Sequence, residues 1–372
     1  MGRAHSNAWI NAPLFFDLPL KPVLKAVCGR NEEALKTFAR KWGWESTETD
    51  WKKLVTRQDI DVIDIALPQN LHYEIAIAAA KEGKHIFCEK PLAMNSRQAE
   101  EMLKVCEDNN ITHYLNHNYR RTPAITLAKQ LINEGKLGNL YHWRCAYQQD
   151  WIIDPEFPLT WQLKKESAQA GPHWDLNSHC VDLAHYLIGE IAVVSAITSN
   201  FIKERPIAEE SSSGNLKAES AGTGKAQVTV EDAALMFVKF TNGTLGSFEA
   251  TRFATGKKNG LTFEIYGSKG SIAFDLERMN ELRYYNLEEP EQLRGFRTIL
   301  VTENTHPYID HWWPAGHIIG YEHTFIHAVA DFISAVDSGK KIQPDFSDGV
   351  KIIKVLEAGI QSAETQKQIK II

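Results

Sequence analysis

Two short stretches hold side chains equipped for acid–base chemistry. In C-E-K-P-L-A (residues 88–93) a lysine stands between a glutamate and a proline. In G-P-H-W-D-L-N-S-H-C (residues 171–180) Asp175 precedes His179 by four positions. A Lys at a strand tip, followed by the fixed φ of Pro91, is a cation on a rigid bend that can polarise a hydroxyl or carbonyl oxygen. The plainer reading makes Glu89 and Lys90 a surface ion pair. If one helix runs through Asp175 and His179, they share a face. A carboxylate beside an imidazole orients it and raises its basicity, which makes a general base. The alternative is a pair that only caps or anchors the helix. His173 and His185 each lie six positions from His179, about 240° round a helix, so neither joins that face. This argues against a metal cluster, and Cys180 does not complete one.

Two further stretches are weaker. N-H-N-Y-R-R-T-P-A (residues 116–124) places Tyr119 and Arg120 where the first domain ends, either reaching a cleft or holding the domains together. Residues 306–323 are rich in Trp, Tyr and His. Aromatic faces suit sugar rings, but a core or subunit-interface stripe fits the same composition.

The elements that must hold these groups follow from periodicity. Up to about residue 122, short apolar runs (23–28, 61–68, 85–90, 111–120) alternate with amphipathic helical stretches (31–44, 71–84, 95–110). Leu35, Phe38, Ala39 and Trp42 mark one helical face; Ala99, Met102, Leu103 and Cys106 mark another, with Asn95 or Ser96 as its cap. Strands separated by helices pair in parallel through right-handed crossovers, which predicts a doubly wound α/β sheet. The pattern then changes. A helix at 122–135, a strand at 140–151 and a helix at 178–189 lead into five strand-like runs between 227 and 286, separated by turn signals such as Asn242-Gly243 and Gly267-Ser268. These predict an antiparallel meander. Residues 211–226, rich in Gly and Ser, read as an exposed loop. Two helices close the chain, near 321–337 and 348–366. The expected division is 1–122 and 123–372.

Composition bounds the function. At 372 residues the chain exceeds one compact core. A formal net charge of −6 without clustered Lys/Arg argues against nucleic acid or an anionic membrane as partner. Cys28, Cys88, Cys106, Cys145 and Cys180 are odd in number and lack a C-x-x-C spacing, which fits free thiols in a cytoplasmic protein. No run reaches the length of a membrane span, and the first residues lack a signal-peptide core.

The opening M-G-R-A-H-S-N-A-W reads as the end of a glycine-rich nucleotide-binding turn, with Gly2 as its third glycine and a helix facing the pyrophosphate. The strand and two glycines that such a turn needs, roughly ten residues, do not precede it. The expectation is a gene model that starts at an internal methionine, with the strands near 23–28 and 61–66 each short of a neighbour. After the second strand come Gly29 and Arg30, with no acidic residue to read a ribose. Arg30 either pairs with a 2′-phosphate, which leans the cofactor toward NADP rather than NAD, or is a solvated arginine beside a turn.

Taken in order, G-K-H-I-F-C-E-K-P-L-A, N-Y-R-R-T-P-A, G-P-H-W-D-L-N-S-H-C-V-D-L-A-H-Y-L-I-G-E and Y-G-S-K-G-S-I resemble the glucose–fructose oxidoreductase/inositol dehydrogenase (Gfo/Idh/MocA) family along essentially the whole chain. The resemblance implies a Rossmann-type domain followed by an α+β domain with a large, mainly antiparallel open sheet that binds substrate. It implies NAD(P)-dependent oxidation of a secondary hydroxyl of a sugar, anhydrosugar or cyclitol. Lys90 would contact the reacting hydroxyl and nicotinamide, His179 would take the proton, and Asp175 would orient His179 or bind a neighbouring hydroxyl. Tyr119 and Arg120 would border the sugar; Pro68, Asn70, His72, Glu89 and Pro91 would lie along the cofactor. The outer sheet face would form a homodimer or homotetramer. Trp174 stands where a small residue is usual, predicting a narrower pocket, and Gln162 stands where Arg is frequent. The rival reading is a sugar- or nucleotide-sensing protein of the same fold that has lost catalysis; three retained catalytic positions speak against it.

Overall fold

The computed structural model describes residues 1–208 and 221–371. The chain divides into two compact units, Met1–Arg121 with Ile319–Ile353, and Thr122–Ile318 with Lys354–Ile372. The first boundary lies one residue from the expected one. Residues 319–353, expected with the second domain, return to the first unit, because their helix supplies its aromatic core.

In chain order the first unit runs α1 (Gly2–Phe15), β1 (Ala26–Cys28), α2 (Glu32–Trp42), β2 (Ser46–Glu48), α3 (Trp51–Val55), β3 (Val62–Ile65), α4 (His72–Lys81), β4 (His85–Glu89), α5 (Ser96–Asp108) and β5 (His113–Asn116). Local chemistry explains the helix ends. The Asn31 side chain accepts from Ala34 N at the start of α2, and Gly43, at φ 75°, ends it. Glu32 and Glu33 in its first turn and Arg40 and Lys41 in its last complement the helix dipole. Asn95, rather than Ser96, caps α5.

All strand pairs here are parallel, as expected, but the sheet is in two pieces: β2-β1, and β3-β4-β5. Among the described residues no ladder joins β1 to β3, the two strands expected to lack a neighbour. Phe87 on β4 packs against Tyr114 at 4.9 Å and Phe332 at 5.4 Å between ring centroids, and Trp9 of α1 joins them.

The second unit begins with α6 (Pro123–Asn133), β6 (Leu140–Gln148), α7 (Lys165–Ala168), α8 (Pro172–Asp175) and α9 (Asn177–Leu187). Among the described residues nine strands follow: β7 (Ile191–Ser199), β8 (Glu204–Ala208), β9 (Ala221–Gln227), β10 (Ala233–Phe240), β11 (Leu245–Thr251), β12 (Gly260–Gly267), β13 (Gly270–Asp275), β14 (Glu281–Asn286) and β15 (Arg297–Leu300). The chain closes with α10 (Tyr321–Ser338), which belongs to the first unit, then α11 (Phe346–Thr365) and β16 (Ile369–Lys370). The large sheet has the order β15-β14-β13-β12-β6-β11-β10-β7-β16 and is antiparallel except between β6 and β11. Its inner face buries Trp143 stacked on Phe263 at 5.3 Å, with Phe263 on Phe274 at 5.2 Å. Strand β10 alternates, with Ala234, Met236, Val238 and Phe240 buried while Phe237 is 69 % exposed on the open face.

The loop expected at 211–226 is only partly so. Its last residues form β9, which pairs with β8 although its Gly- and Ala-rich sequence has little strand propensity. Backbone pairing in a two-stranded ribbon outweighs composition there. The remainder, 211–220, lies outside the described residues.

Candidate functional site

In the first unit, Glu89 and Lys90 lie at the C-terminal end of a parallel strand, the place where ligands bind in doubly wound sheets. Lys90 follows β4 directly and is half-buried, with a cis peptide to Pro91. Glu89 is 5 % exposed, and its Oε1 accepts from His5 Nε2 at 2.8 Å and Asn116 Nδ2 at 2.7 Å. Burial would raise the Glu89 pKa, but His5, Lys90 and Asn116 together hold it below the usual carboxylate range. The surface-pair reading of Glu89 therefore fails.

His5 is the residue that sequence reasoning missed. It sits on α1, 3 % exposed, with Nδ1 donating to Asp64 Oδ1 at 2.8 Å and Nε2 donating to Glu89. Burial alone would lower its pKa; Asp64 and Glu89 overcome that and push it up to about 10. His5 is thus an imidazolium between two carboxylates, tying α1 to the tips of β3 and β4. Trp9 Nε1 adds a third donor, to Asp64 Oδ2 at 2.7 Å. The signal available was a His at the fourth position of a helix whose i+4 neighbour is Trp9, a pair that faces one way.

His72 was expected along a cofactor, but it is fully buried, with Nδ1 3.0 Å from the Pro91 carbonyl and Nε2 2.8 Å from that of Leu67. Burial lowers its pKa. It buttresses the bend after Lys90 from within. Pro68 is half-buried, Asn70 is exposed, and Leu67 and Leu71 expose apolar surface beside them. Arg30 is exposed after β1. A Cβ on Gly2 would meet only Phe38 Cζ at 3.7 Å, an ordinary contact, so no close approach here requires glycine.

Tyr119 and Arg120 lie in a short 3₁₀ turn after β5, and both are buried. Arg120 Nη2 pairs with Asp348 at 3.3 Å, Arg121 Nε pairs with Asp331 at 3.0 Å, and Tyr119 faces Tyr321 with ring centroids 6.4 Å apart. These partners belong to the same unit, so Arg120 is committed to the returning segment.

In the second unit, Asp175 ends α8 and His179 lies in the first turn of α9. The helix expected to run through both is interrupted at Leu176: His179 N bonds to Leu176 O instead of Asp175 O. Gly171 is the N-cap of α8, and glycine is needed there because a Cβ would overlap the Glu231 carbonyl oxygen. Asp175 is 39 % exposed at its side chain and accepts from Arg252 Nη2 at 2.7 Å. His179 is 5 % exposed and packs edge-on against Tyr147 at 5.6 Å. Trp174, expected to narrow a pocket, is fully buried and turned into the core. His173 is buried too, bonded through Nε2 to the Leu356 carbonyl at 2.8 Å. Among the described residues, no three His, Cys, Asp or Glu side chains group to hold a metal, and no helix is long and apolar enough to cross a membrane.

The comparisons with known proteins agree with both halves. Residues 1–117 match the oxidoreductase family with an NAD-binding Rossmann fold, and residues 125–273 match the GFO/IDH/MocA C-terminal domain. Levoglucosan dehydrogenase of Pseudarthrobacter phenanthrenivorans is 41% identical over 374 residues, 100% of this chain and 95% of its own. An oxidoreductase domain protein from Kribbella flavida superposes with a TM-score of 0.94 at 46% identity, covering 100% of this chain and 96% of that one. Levoglucosan dehydrogenase in complex with NADH and levoglucosan does so with a TM-score of 0.93 at 40% identity and the same coverage. The chain belongs to the Gfo/Idh/MocA family of oxidoreductases with an NAD-binding Rossmann domain.

Proposed function

We propose that the chain oxidises a secondary hydroxyl of a sugar, with an anhydrosugar such as levoglucosan as first candidate. The observation that carries this is the full-length similarity to levoglucosan dehydrogenase together with Lys90 at a strand tip and Asp175 and His179 around one helix start.

The first unit fits a dinucleotide. The first turn of α1 has no acidic residue and no side-chain cap, which leaves the positive end of its dipole for a pyrophosphate. Leu67, Pro68, Asn70 and Leu71 give an apolar, partly polar lip after β3. NAD, when bound, supplies the hydride acceptor. Gly2 and the α1 terminus would hold its phosphates, Arg30 would lie near its adenosine end, and Lys90 and Pro91 near its nicotinamide. NADP remains the cofactor only if Arg30 engages a 2′-phosphate. Lys90 donates to the substrate oxygen and stabilises the alkoxide character that develops as hydrogen leaves. His179 Nε2 takes the hydroxyl proton. Asp175 orients His179 or accepts from a neighbouring hydroxyl. The open face of the large sheet, with Phe237, Leu235 and Ile197 exposed, is where two copies would associate.

The test is absorbance at 340 nm with NAD or NADP and a panel of levoglucosan, L-sorbose, myo-inositol and glucose. Turnover of an anhydrosugar or cyclitol that disappears in Lys90→Met, with NADH binding intact, supports the assignment. No turnover of any of them by a chain that binds NADH would refute it.

A further inference from the structure

Arg252 follows β11 and is 1 % exposed at its side chain. Its Nη2 donates to Asp175 Oδ2 at 2.7 Å, and its guanidinium carbon lies 5.3 Å from the centroid of the Trp151 ring. Its Nε and Nη1 are buried and have no hydrogen-bond partner among the described residues. A second buried arginine in the same unit makes the contrast. Arg205 donates to the carbonyl oxygens of Asp154, Phe157 and Ile152, and so knits three backbone positions of one loop. Arg252 knits no backbone with its side chain. The one hydrogen bond that its side chain makes among the described residues goes to a carboxylate that is itself 39 % exposed.

Such an arrangement contributes little to folding. A guanidinium taken out of water with two donors unsatisfied is costly, and a partner open to solvent returns little. A hydrophobic side chain of similar length would fill the same space without that cost. The group that gains from Arg252 is Asp175, whose carboxylate is gripped from the buried side and stacked in place through Trp151.

We propose that Arg252 is a positioning residue that acts through Asp175. It fixes the carboxylate's orientation at the end of α8, so that Asp175 meets a substrate hydroxyl or the His179 imidazole without reorganising. This rests on the dehydrogenase reading above. It also predicts opposite signs for stability and turnover, which a structural arginine would not give.

The experiment compares wild type, Arg252→Met, Arg252→Lys, Asp175→Asn and the double variant Arg252→Met/Asp175→Asn. For each, levoglucosan oxidation is followed at 340 nm, levoglucosan is titrated calorimetrically into the NADH-loaded protein, and thermal unfolding is recorded. The expected result is Arg252→Met with a Tm equal to or above wild type, unchanged NADH affinity, and kcat/KM lower by about 30–100-fold, the scale of one charge-assisted hydrogen bond. Asp175→Asn added to it should cost less than about 3-fold more, because the two act as one unit. Arg252→Lys should recover part of the loss. Wild-type kcat/KM in Arg252→Met, with wild type active, overturns the positioning role alone. So does failure of both Arg252→Met and Arg252→Lys to fold, which would make the residue structural. Wild type that binds the sugar without oxidising it defeats the dehydrogenase reading alone, and weaker sugar binding by Arg252→Met then still supports the pair. Wild type that neither binds nor oxidises the sugar overturns both.

Discussion

Raising the pH from 6.5 to 9.5 should strip the first unit of most of what His5 contributes. Its pKa is about 10 in the fold against an ordinary 6.5, and every tenfold change in proton affinity corresponds to about 1.4 kcal/mol. A folded value above the unfolded one favours the protonated fold, so the contribution is complete below pH 6.5 and fades as pH rises through about 10. Linkage over that window gives a loss of about 3–4 kcal/mol between pH 6.5 and 9.5, close to 1.4 kcal/mol per pH unit in its middle. On the acid side the same trio weakens for a different reason. Glu89 titrates below its ordinary 4.5, so its share is present above pH 4.5 and lost as pH falls through the lowered value. Urea unfolding of wild type and His5→Gln at half-unit intervals of pH isolates the effect above pH 6.5, since titrations of groups away from His5 cancel in the difference and Glu89, lowered below 4.5, is ionised throughout that range. The difference should be largest near pH 5–6.5 and shrink steadily toward pH 9.5. Parallel stability curves for the two proteins would refute an imidazolium held between Asp64 and Glu89.

Other outcomes follow from the same geometry. Gly171→Ala should lower stability by about 1–3 kcal/mol, the range for overpacking, and lower turnover with it, because the displaced α8 carries Asp175; differential scanning calorimetry and a 340 nm assay read both. His179→Ala should reduce kcat/KM about 10²–10⁴-fold, the range for loss of a general base, while fluorescence titration finds NADH binding unchanged. Phe237→Glu, at a position 69 % exposed on the open sheet face, should leave the Tm unchanged and reduce the mass seen by light scattering to that of a single chain. An unchanged mass for an oligomeric wild type would place the interface elsewhere.

Much of this arrangement is legible in the residues. Helices α2 and α5 and the strands 270–275 and 281–286 follow from periodicity and turn residues, because each buries one face and ends at Gly, Asn or Asp. Strand β2 gives no signal: Ser46, Thr47 and Glu48 are polar, and only pairing with β1 makes them a strand. Strand β9 is the same case in a Gly-rich sequence. Residue type and spacing point to Lys90, Asp175 and His179, yet the spacing argument assumes a continuous helix, and the chain breaks at Leu176. Trp174 and His72, expected on ligand surfaces, are fully buried, since sequence position shows proximity to a motif but not which way a side chain points. Arg252 is illegible because its partner Asp175 lies far away in the chain, and the His5/Trp9 pair marks a shared helix face without pointing to the distant Asp64 and Glu89.

Hydride transfer itself can be followed by isotope. The protein is incubated with NAD and levoglucosan deuterated at every ring carbon, and the nicotinamide product is weighed by mass spectrometry. Sugar oxidation by this chain predicts reduced nicotinamide heavier by one deuterium, formed by wild type and not by Lys90→Met. Reduced cofactor without deuterium, or equal labelling in Lys90→Met, would contradict direct transfer from a sugar carbon assisted by Lys90.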